Sequence, residues 1–317
     1  MQVVIRSLHS VPALVARLRA MPGIAVTVAD SDSTLGAALP GAELLLISDN
    51  FYSPETARLL REGAPKLAWV QLLSSGYDAV ARHGLPPGII LTNAGDAYAP
   101  AVATHAIALL LALQRQLPAL LGAQARGHWQ RGLHAGNAVP YGGTIAVLGF
   151  GAIGSEIGRL LKQFGARIIA VTRSGRSCRD ADESLPASAL HAVLPRADAV
   201  AIALAASEDS RHLIGAPELA LMKSTAFLVN IARGYVVDSL ALAEALRHGT
   251  IAGAGLEVTE PEPLPPEHPL WTAPNLIITP HMAGAAGEIL GARLAALVGD
   301  NIARRLRGEP LAHRIAL

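Results

Sequence analysis

Three closely spaced glycines most constrain how this chain folds, because they follow an apolar run and precede a segment with helical periodicity. They lie in the motif Gly149-Phe150-Gly151-Ala152-Ile153-Gly154, directly after a predicted strand at 144–148. In this context the first glycine permits a tight turn, the second lets the backbone approach a pyrophosphate, and the third lets helix and strand pack closely. The amino terminus of the following helix offers free N–H groups to phosphate. The motif therefore predicts a dinucleotide site formed by Gly149, Gly151, Ala152, Ile153 and Gly154.

Short apolar runs alternate with helix-period segments along the whole chain, which is the pattern of parallel strands joined by crossover helices. In the amino-terminal third we predict strands at 2–6, 24–28, 43–47, 67–71 and 88–91, and helices at 12–20, 54–62 and 100–117. Beyond it we predict strands at 144–148, 167–171, 199–204, 226–230, 251–257 and 275–279, and helices at 154–164, 238–248 and 285–307. The fold class is therefore α/β, and the second series matches a doubly wound sheet.

Composition and charge exclude several classes of protein. There are 26 Lys and Arg against 25 Asp and Glu, so the net charge of +1 gives no electrostatic case for nucleic acid or an anionic membrane as partner. The single cysteine, Cys178, excludes an intrachain disulfide and a cysteine metal cluster, and we predict no metal site. The longest apolar run, 106–113, is too short to span a bilayer, and the amino terminus lacks the apolar core of a signal peptide. We therefore expect a cytoplasmic protein.

The strand after the glycine motif ends in basic residues, where the acid that binds the ribose 2′-hydroxyl of NAD usually lies. The segment reads Val171-Thr172-Arg173-Ser174-Gly175-Arg176, and no acid follows before Asp180. Thr172 can hydrogen-bond a 2′-phosphate, and Arg173 or Arg176 can pair with it. This favours NADP(H) as the cofactor, with NAD(H) possible. The alternative is a solvated basic loop with relaxed cofactor choice, because arginines are common on surface loops.

Three polar residues follow the ends of different predicted strands in the second half of the chain: Arg233, Glu262 and His281. Because doubly wound sheets bind ligands at the carboxyl ends of their strands, we expect these side chains to share one site. Arg233 would hold a carboxylate and a keto oxygen with its forked cation, and His281 would exchange a proton with that oxygen as hydride arrives. Glu262 would favour the imidazolium and orient the ring. Alone, each residue is more often structural; their order and context favour catalysis.

The motifs, taken in order, resemble those of the D-isomer-specific 2-hydroxyacid dehydrogenases over essentially the whole chain. They are Ser74-Ser75-Gly76-Tyr77-Asp78, Val102-Ala103-Thr104-His105, the glycine motif, Asn230-Ile231-Ala232-Arg233-Gly234, Glu262-Pro263-Leu264 and Thr279-Pro280-His281. The resemblance implies a flavodoxin-like substrate domain and a Rossmann coenzyme domain, and a homodimer formed through the coenzyme domains. It implies that the backbone around Ser75 and Gly76 binds the substrate carboxylate. Further cofactor contacts are expected from Ala205, Ser210, Ile231, Glu257 and Gly284.

With 317 residues, the chain exceeds the size of one ordinary core, so two domains are expected. We predict a dinucleotide-binding domain at 99–285 and a discontinuous substrate-binding domain at 1–98 plus 286–317, because the last helix is expected to cross back onto the first domain. The cleft between the two doubly wound, parallel-sheet domains would close over substrate and expel water, with hinges near 97–100 and 283–286.

This sequence departs from the family pattern at a few positions outside the catalytic trio. Thr104 stands where an acid is usual, and Ala205 stands where a proline is usual, with Ser207 and Ser210 in place of threonines. Glu257 stands where an aspartate usually contacts the nicotinamide carboxamide. The longer side chain would either keep that hydrogen bond or shift the nicotinamide ring.

The sequence thus predicts reduction of a small 2-keto acid to the D-2-hydroxy acid, and the reverse reaction. Two alternatives stay open. A dinucleotide-sensing binding protein, similar to the corepressors called C-terminal binding proteins, would show nucleotide-dependent partners and negligible turnover. A specialised branch, such as phosphoglycerate or phosphonate oxidation, is less favoured because no basic cluster in the first domain clearly marks a phosphate pocket.

Overall fold

The computed structural model describes residues 1–132 and 138–316. The strands in this part of the chain are β1 (Gln2–Arg6), β2 (Ala25–Val28), β3 (Leu44–Ile47), β4 (Trp69–Leu72), β5 (Ile90–Thr92), β6 (Thr144–Leu148), β7 (Arg167–Thr172), β8 (Glu183–Pro186), β9 (Ala199–Ile202), β10 (Phe227–Asn230), β11 (Gly253–Leu256), β12 (Leu276–Ile278) and β13 (Arg314–Ile315). The α-helices are α1 (Val11–Arg19), α2 (Asp32–Ala38), α3 (Pro54–Gly63), α4 (Asp78–His83), α5 (Ala99–Gln114), α6 (Leu117–Ala125), α7 (Ala152–Gln163), α8 (Leu190–Val193), α9 (Ala216–Leu221), α10 (Ser239–Arg247) and α11 (Gly287–Leu306).

These elements divide between two compact units. The first unit comprises Met1–Tyr98 together with Ala285–Leu317, and the second unit comprises Ala99–Gly284. The chain therefore leaves the first unit once, builds the second as one continuous stretch, and returns to the first.

The sheet of the first unit has the strand order β13-β5-β4-β3-β1-β2. Its strands run parallel, except that the carboxyl-terminal β13 pairs antiparallel with β5. Helix α11 packs along α1, where Gly291 leaves room for the neighbouring helix, since a Cβ at this position would lie 3.3 Å from the Cβ of Ala13. Leu294, Val298 and Ile302 recur at every fourth position of α11 and are buried, as expected for one helix face that packs on a core.

The sheet of the second unit has the order β12-β11-β10-β9-β6-β7-β8, and all its strands are parallel. Strands β9 and β10 are buried along their whole length, as expected for parallel strands covered by helices on both faces. The strand order reverses between β6 and β9, and doubly wound sheets bind ligands beside the carboxyl ends of the strands at such a reversal. The carboxyl end of β6 carries Gly149, so the glycine motif lies at this point of the sheet.

The predicted elements are confirmed to within two residues at each end, apart from the long helix at 100–117. That helix ends at Gln114, and α6 starts after Gln116, whose backbone is left-handed with φ of 53°. The axes of α5 and α6 are bent by 67° at this break. Proline at position 118 suits the first turn of α6, where a missing N–H removes no helical hydrogen bond. Strand β8 was also missed, because its sequence, Glu-Ser-Leu-Pro, has no apolar pattern.

Among the described helices, none is by itself long and apolar enough to cross a membrane. Helices α5 and α6 reach the length and apolar composition of a membrane span only when the bent pair is taken together. Nine residues of α5 are buried within the second unit, to which the helix belongs, as in the core helix of a folded domain.

Candidate active site

The glycine motif forms a tight turn between β6 and α7, and two of its glycines are required by the protein's own packing. Gly149 has φ of +87°, and a Cβ at this position would lie 2.6 Å from the carbonyl oxygen of Ala203. Its N–H donates to the carbonyl of Val171 at 2.9 Å. A Cβ on Gly154 would lie only 2.0 Å from the carbonyl oxygen of Gly149. Larger residues at these positions would push helix and strand apart.

Gly151 differs from these two glycines, since no protein contact requires it. A Cβ at Gly151 would meet no atom within 4 Å. Helix α7 starts at Ala152 without a side-chain cap, so the N–H groups of its first turn, which includes Ile153, lack a side-chain acceptor. The open space and the positive end of the helix dipole together fit a pyrophosphate, because a ligand that approaches the backbone here would occupy the place of a side chain.

The basic loop after β7 extends into solvent. The Thr172 hydroxyl accepts the N–H of Gly175 at 3.1 Å, and this bond closes the start of the loop. Arg173 and Arg176 are exposed, and within residues 1–132 and 138–316 neither guanidinium has a hydrogen bond or an ion pair to the protein. Both cations are therefore available to an anion that approaches the end of β7.

His281 and Glu262 form a direct pair, with Nδ1 of the ring 2.7 Å from Oε1 of the carboxylate. Both side chains are about half exposed, at 53% and 43%, so the other ring nitrogen can meet a ligand. The backbone of His281 is left-handed, with φ of 50°. Such a conformation in a non-glycine residue costs of order 1–3 kcal/mol and persists only where surrounding contacts fix it.

Arg233 lies in the loop after β10, beside the segment that leads to Glu262. The side chain of Asn230 braces this loop, donating to the carbonyl of Arg233 at 2.9 Å and accepting the N–H of Ala232 at 3.1 Å. A Cβ on Gly234 would lie 2.0 Å from the backbone carbonyl of Thr259, so the two loops touch through their main chains. The structure thus brings the Arg233 loop and the Glu262 loop together at the same edge of the sheet, and His281 reaches Glu262 directly.

Glu257 is buried beside the His281 turn, with only 2% of its side chain exposed. One carboxylate oxygen accepts the N–H of Ala283, and the other accepts the hydroxyl of Thr279. Nε2 of His105, from helix α5, lies 3.1 Å from that second oxygen and 3.0 Å from the Thr279 hydroxyl. Both oxygens are therefore engaged by groups of the protein itself.

The other residues predicted to contact a cofactor have varied surroundings. Ala205 is exposed, and Ile231 is buried directly after β10. The hydroxyl of Ser210 is turned inward and donates to the carbonyl of Ser207 at 2.6 Å. Gly284 is partly exposed at the end of the second unit. Their contacts with a cofactor stay predictions.

Ser75 and Gly76 lie in the first unit, in the loop that follows β4. The Ser74 hydroxyl donates to the carbonyl of Gly76 at 3.0 Å, and the Asn93 side chain donates to the carbonyl of Ser75 at 2.8 Å. The hydroxyl oxygen of Ser75 is buried without a hydrogen-bond partner among the described residues. The phenol of Tyr98 donates to the carbonyl of Leu73 at 2.6 Å, and burial raises the pKa of this phenol, which keeps it a donor. These hydrogen bonds hold the loop through its carbonyls. The backbone N–H groups of Ser75 and Gly76 and the Ser75 hydroxyl are therefore the groups that a ligand could engage.

Sequence reasoning did not assign a role to His105 or to Thr279. Both occur in motifs quoted for the family resemblance, but their partnership joins positions 174 residues apart and has no local signal. No group of three or more His, Cys, Asp or Glu side chains in the described part of the chain is arranged to hold a metal ion.

Residues 107–283 match the family model described as the NAD binding domain of D-isomer specific 2-hydroxyacid dehydrogenases. The glyoxylate reductase of Thermococcus gammatolerans is 40% identical over 260 residues, covering 78% of this chain and 76% of that protein. A D-isomer specific 2-hydroxyacid dehydrogenase family protein from Aeromonas salmonicida subsp. salmonicida has a similar structure, with a TM-score of 0.86 and 30% identity over 99% of this chain and 98% of that one. The NADPH-dependent glyoxylate/hydroxypyruvate reductase from Sinorhizobium meliloti, solved with NADP and sulfate, has a TM-score of 0.84 and 25% identity over 99% and 98% of the two chains.

Proposed function

We propose that this chain, which belongs to the D-isomer-specific 2-hydroxyacid dehydrogenase family, reduces a small 2-keto acid of the glyoxylate or hydroxypyruvate type to the D-2-hydroxy acid. Membership of the family makes it an NAD(P)-dependent oxidoreductase. The observation that carries the proposal is the pair of His281 and Glu262, 2.7 Å apart, beside the loop of Arg233. A half-exposed imidazole held by a carboxylate is suited to proton transfer.

In this mechanism His281 is the acid and base. Its Nδ1 is turned to Glu262, which leaves Nε2 to donate a proton to the keto oxygen as that oxygen gains electrons. Arg233 binds the substrate carboxylate and keto oxygen with a cation that stays protonated throughout. The bound cofactor supplies the hydride. In the reverse direction, His281 accepts the proton of the alcohol.

We assign the cofactor site to the glycine turn and the loop after β7. Gly151 and the first turn of α7 would receive the pyrophosphate, since the place of a Cβ is open there. Thr172, Arg173 and Arg176 would receive a 2′-phosphate, and an NADP complex of the Sinorhizobium meliloti relative accords with this choice. NADP(H) is thus the preferred cofactor and NAD(H) the weaker one.

We also propose a homodimer formed through the second unit, which we take as the dinucleotide-binding domain. Several large apolar side chains of this unit are exposed, namely Leu117, Leu121, Trp129 and Tyr141. Leu117 and Leu121 lie four residues apart on α6 and so share one helix face, and exposed apolar surface of this kind is suited to a protein–protein contact. Sedimentation of the purified protein tests this proposal, and a monomer at micromolar concentration would contradict it.

The test of the activity is the absorbance of the reduced nicotinamide, with NADPH and NADH run in parallel against glyoxylate, hydroxypyruvate, pyruvate and phenylpyruvate. We expect NADPH to be oxidised faster than NADH, with a small keto acid as the best substrate. The D configuration of the product is checked by chiral chromatography. Tight binding of NADPH with no oxidation on any keto acid would overturn the proposal and favour a dinucleotide sensor.

A further inference from the structure

Glu257 contacts every second residue of the turn that carries His281, namely Thr279, His281 and Ala283. Its carboxylate accepts the Thr279 hydroxyl and the Ala283 N–H, and its backbone carbonyl accepts the His281 N–H at 3.0 Å. One residue therefore fixes the beginning, middle and end of the segment 279–283. The side chain is 2% exposed, so solvent does not compete for these bonds.

The turn needs such a constraint because His281 is held in the left-handed region, with φ of 50°. A histidine leaves this region readily unless its neighbours fix it. The bonds at Thr279 and Ala283 set the two sides of the strained residue, and the imidazole then points to Glu262 at 2.7 Å. Release of either bond would let the backbone relax and would move the ring away from Glu262.

His105 completes the network from helix α5. Its Nε2 is 3.1 Å from the Glu257 carboxylate and 3.0 Å from the Thr279 hydroxyl, and its side chain is 22% exposed. A buried carboxylate requires donors on every side, and here they come from the turn and from His105. Both oxygens are thereby engaged by the protein, and with 2% of the side chain exposed little of the carboxylate is open to a bound nicotinamide.

We propose that Glu257 is a positioning residue for His281, with His105 as its partner, and that it does not contact the nicotinamide carboxamide. This inference rests on the proposed role of His281 in keto-acid reduction. It assigns the glutamate at this position a role in the geometry of proton transfer, since its side chain, one methylene longer than that of aspartate, spans Thr279 and Ala283.

The experiment compares Glu257→Gln, Glu257→Asp and Thr279→Val in the full-length protein, with Glu244→Gln as the matched control. Glu244 is an exposed acid of the second unit, paired with Arg247 on α10. We expect Glu257→Gln and Glu257→Asp to lower kcat by about 10–100-fold, as displaced catalytic groups do, and Thr279→Val to lower it several-fold. The dissociation constant for NADPH, measured by fluorescence, should stay within about twofold of the wild-type value, since no cofactor contact is lost.

A cofactor analogue separates the two roles of Glu257. The reduced 3-acetylpyridine analogue of NADP lacks the carboxamide N–H donor that a carboxylate would accept. Under the positioning role, the loss caused by Glu257→Gln is the same with both cofactors. A loss seen with NADPH and absent with the analogue, a several-fold weaker binding of NADPH, or an unchanged kcat would each overturn the proposal. If Glu257→Gln does not fold, Thr279→Val decides, because it keeps the shape of the side chain and removes only the hydroxyl.

A spectroscopic readout distinguishes failure of this inference from failure of the proposed function. The imidazole resonances of the cofactor-free protein are recorded by NMR, and the His281 signal is identified by its loss in His281→Ala. We expect that signal to move in Glu257→Gln and Thr279→Val and to stay in place in Glu244→Gln. An unmoved signal overturns the positioning role, whereas a wild-type protein that reduces no keto acid overturns the proposed function and leaves this readout valid.

Discussion

The turn 279–283 and the loop 172–176 both follow strands of the same parallel sheet, yet the protein holds their polar groups in opposite ways. In the turn, Glu257 binds Thr279 and Ala283 from a buried position. In the loop, Arg173 and Arg176 extend into solvent and, within the described residues, contact no acid. The groups proposed to transfer a proton are thus fixed by the fold, while those proposed to select a cofactor are left for the ligand to engage. Changes in the turn should alter turnover, and changes in the loop should alter binding alone.

The largest effect is expected in the turn 279–283, whose polar groups are held by the protein. His281→Ala removes the proposed acid and should lower kcat by about 10²–10⁴-fold, the usual contribution of general acid catalysis. The dissociation constant for NADPH, measured by fluorescence quenching, should be nearly unchanged. A parallel loss of NADPH binding would contradict the role assigned to the ring. His248→Ala, at an exposed histidine after α10, serves as the control.

The glycine motif 149–154 also combines a position packed by the protein, Gly154, with a position left open for a ligand, Gly151. Gly154→Ala should lower Tm by roughly 3–10 °C, because its Cβ would overlap the carbonyl of Gly149 and overpacking costs about 1–3 kcal/mol. Gly151→Val should lower the Tm of the cofactor-free protein less than Gly154→Ala does, because its Cβ meets no atom within 4 Å and only the N-cap preference of α7 is lost. It should raise the dissociation constant for NADPH by about tenfold or more, since it fills the open space proposed for the pyrophosphate. Differential scanning fluorimetry with and without cofactor measures both effects. Equal destabilisation by the two substitutions would remove the distinction.

Substitutions in the loop 172–176 should change only the preference of the protein for NADPH over NADH. Arg173→Asp places a negative charge where a 2′-phosphate is proposed to bind, so the ratio of kcat/KM for NADPH over NADH should fall by about tenfold or more. Arg179→Asp makes the same charge change at another exposed arginine of this segment and should have little effect. Steady-state assays with both cofactors provide the ratio. If the two variants shift it equally, general electrostatics and not a specific contact explains the preference.

The smallest effect is expected at Asp182, which lies beyond the loop 172–176 and directly before β8. Asp182 accepts the backbone N–H of Ile168 and pairs with Lys162, and these bonds lower the pKa of its carboxyl below the ordinary value of 3.8. The Asp182 carboxylate therefore contributes its full stabilisation at pH values above 3.8. This stabilisation is lost as the pH falls through the lowered pKa of the folded protein. Asp182→Asn should lower Tm by roughly 2 °C or less at pH 7. In a pH series of melting curves the difference should vanish in acid; a difference that grows in acid would have the wrong sign.

The sequence predicted the buried strands well because local pattern determines them. Strand β1 and strand β6 have the predicted bounds, since each is a short apolar run flanked by polar or turn residues. The predicted end of α5 was wrong because Gln114, Arg115 and Gln116 are all compatible with a helix, and only the left-handed backbone of Gln116 interrupts it before Leu117. Backbone conformation at a single residue leaves no trace in hydrophobic periodicity.

The candidate site was predictable only in part, for a related physical reason. Family motifs pointed to Arg233, Glu262 and His281, and the ends of parallel strands necessarily meet at one edge of a sheet. The engagement of Glu257 by His105 was not predictable, because it depends on the packing of α5 against strands far along the chain. A side chain one methylene longer than aspartate reaches partners that sequence pattern cannot identify.

The division of the first unit between the two ends of the chain has a consequence for synthesis. On the ribosome, residues 99–284 emerge as an uninterrupted series with every strand of their sheet, whereas the amino-terminal sheet waits for α11 and β13. Helix α1 and the β5 edge therefore remain without their partners until α11 and β13 have been translated. Of the two units, the one whose strands are translated first is therefore the one completed second.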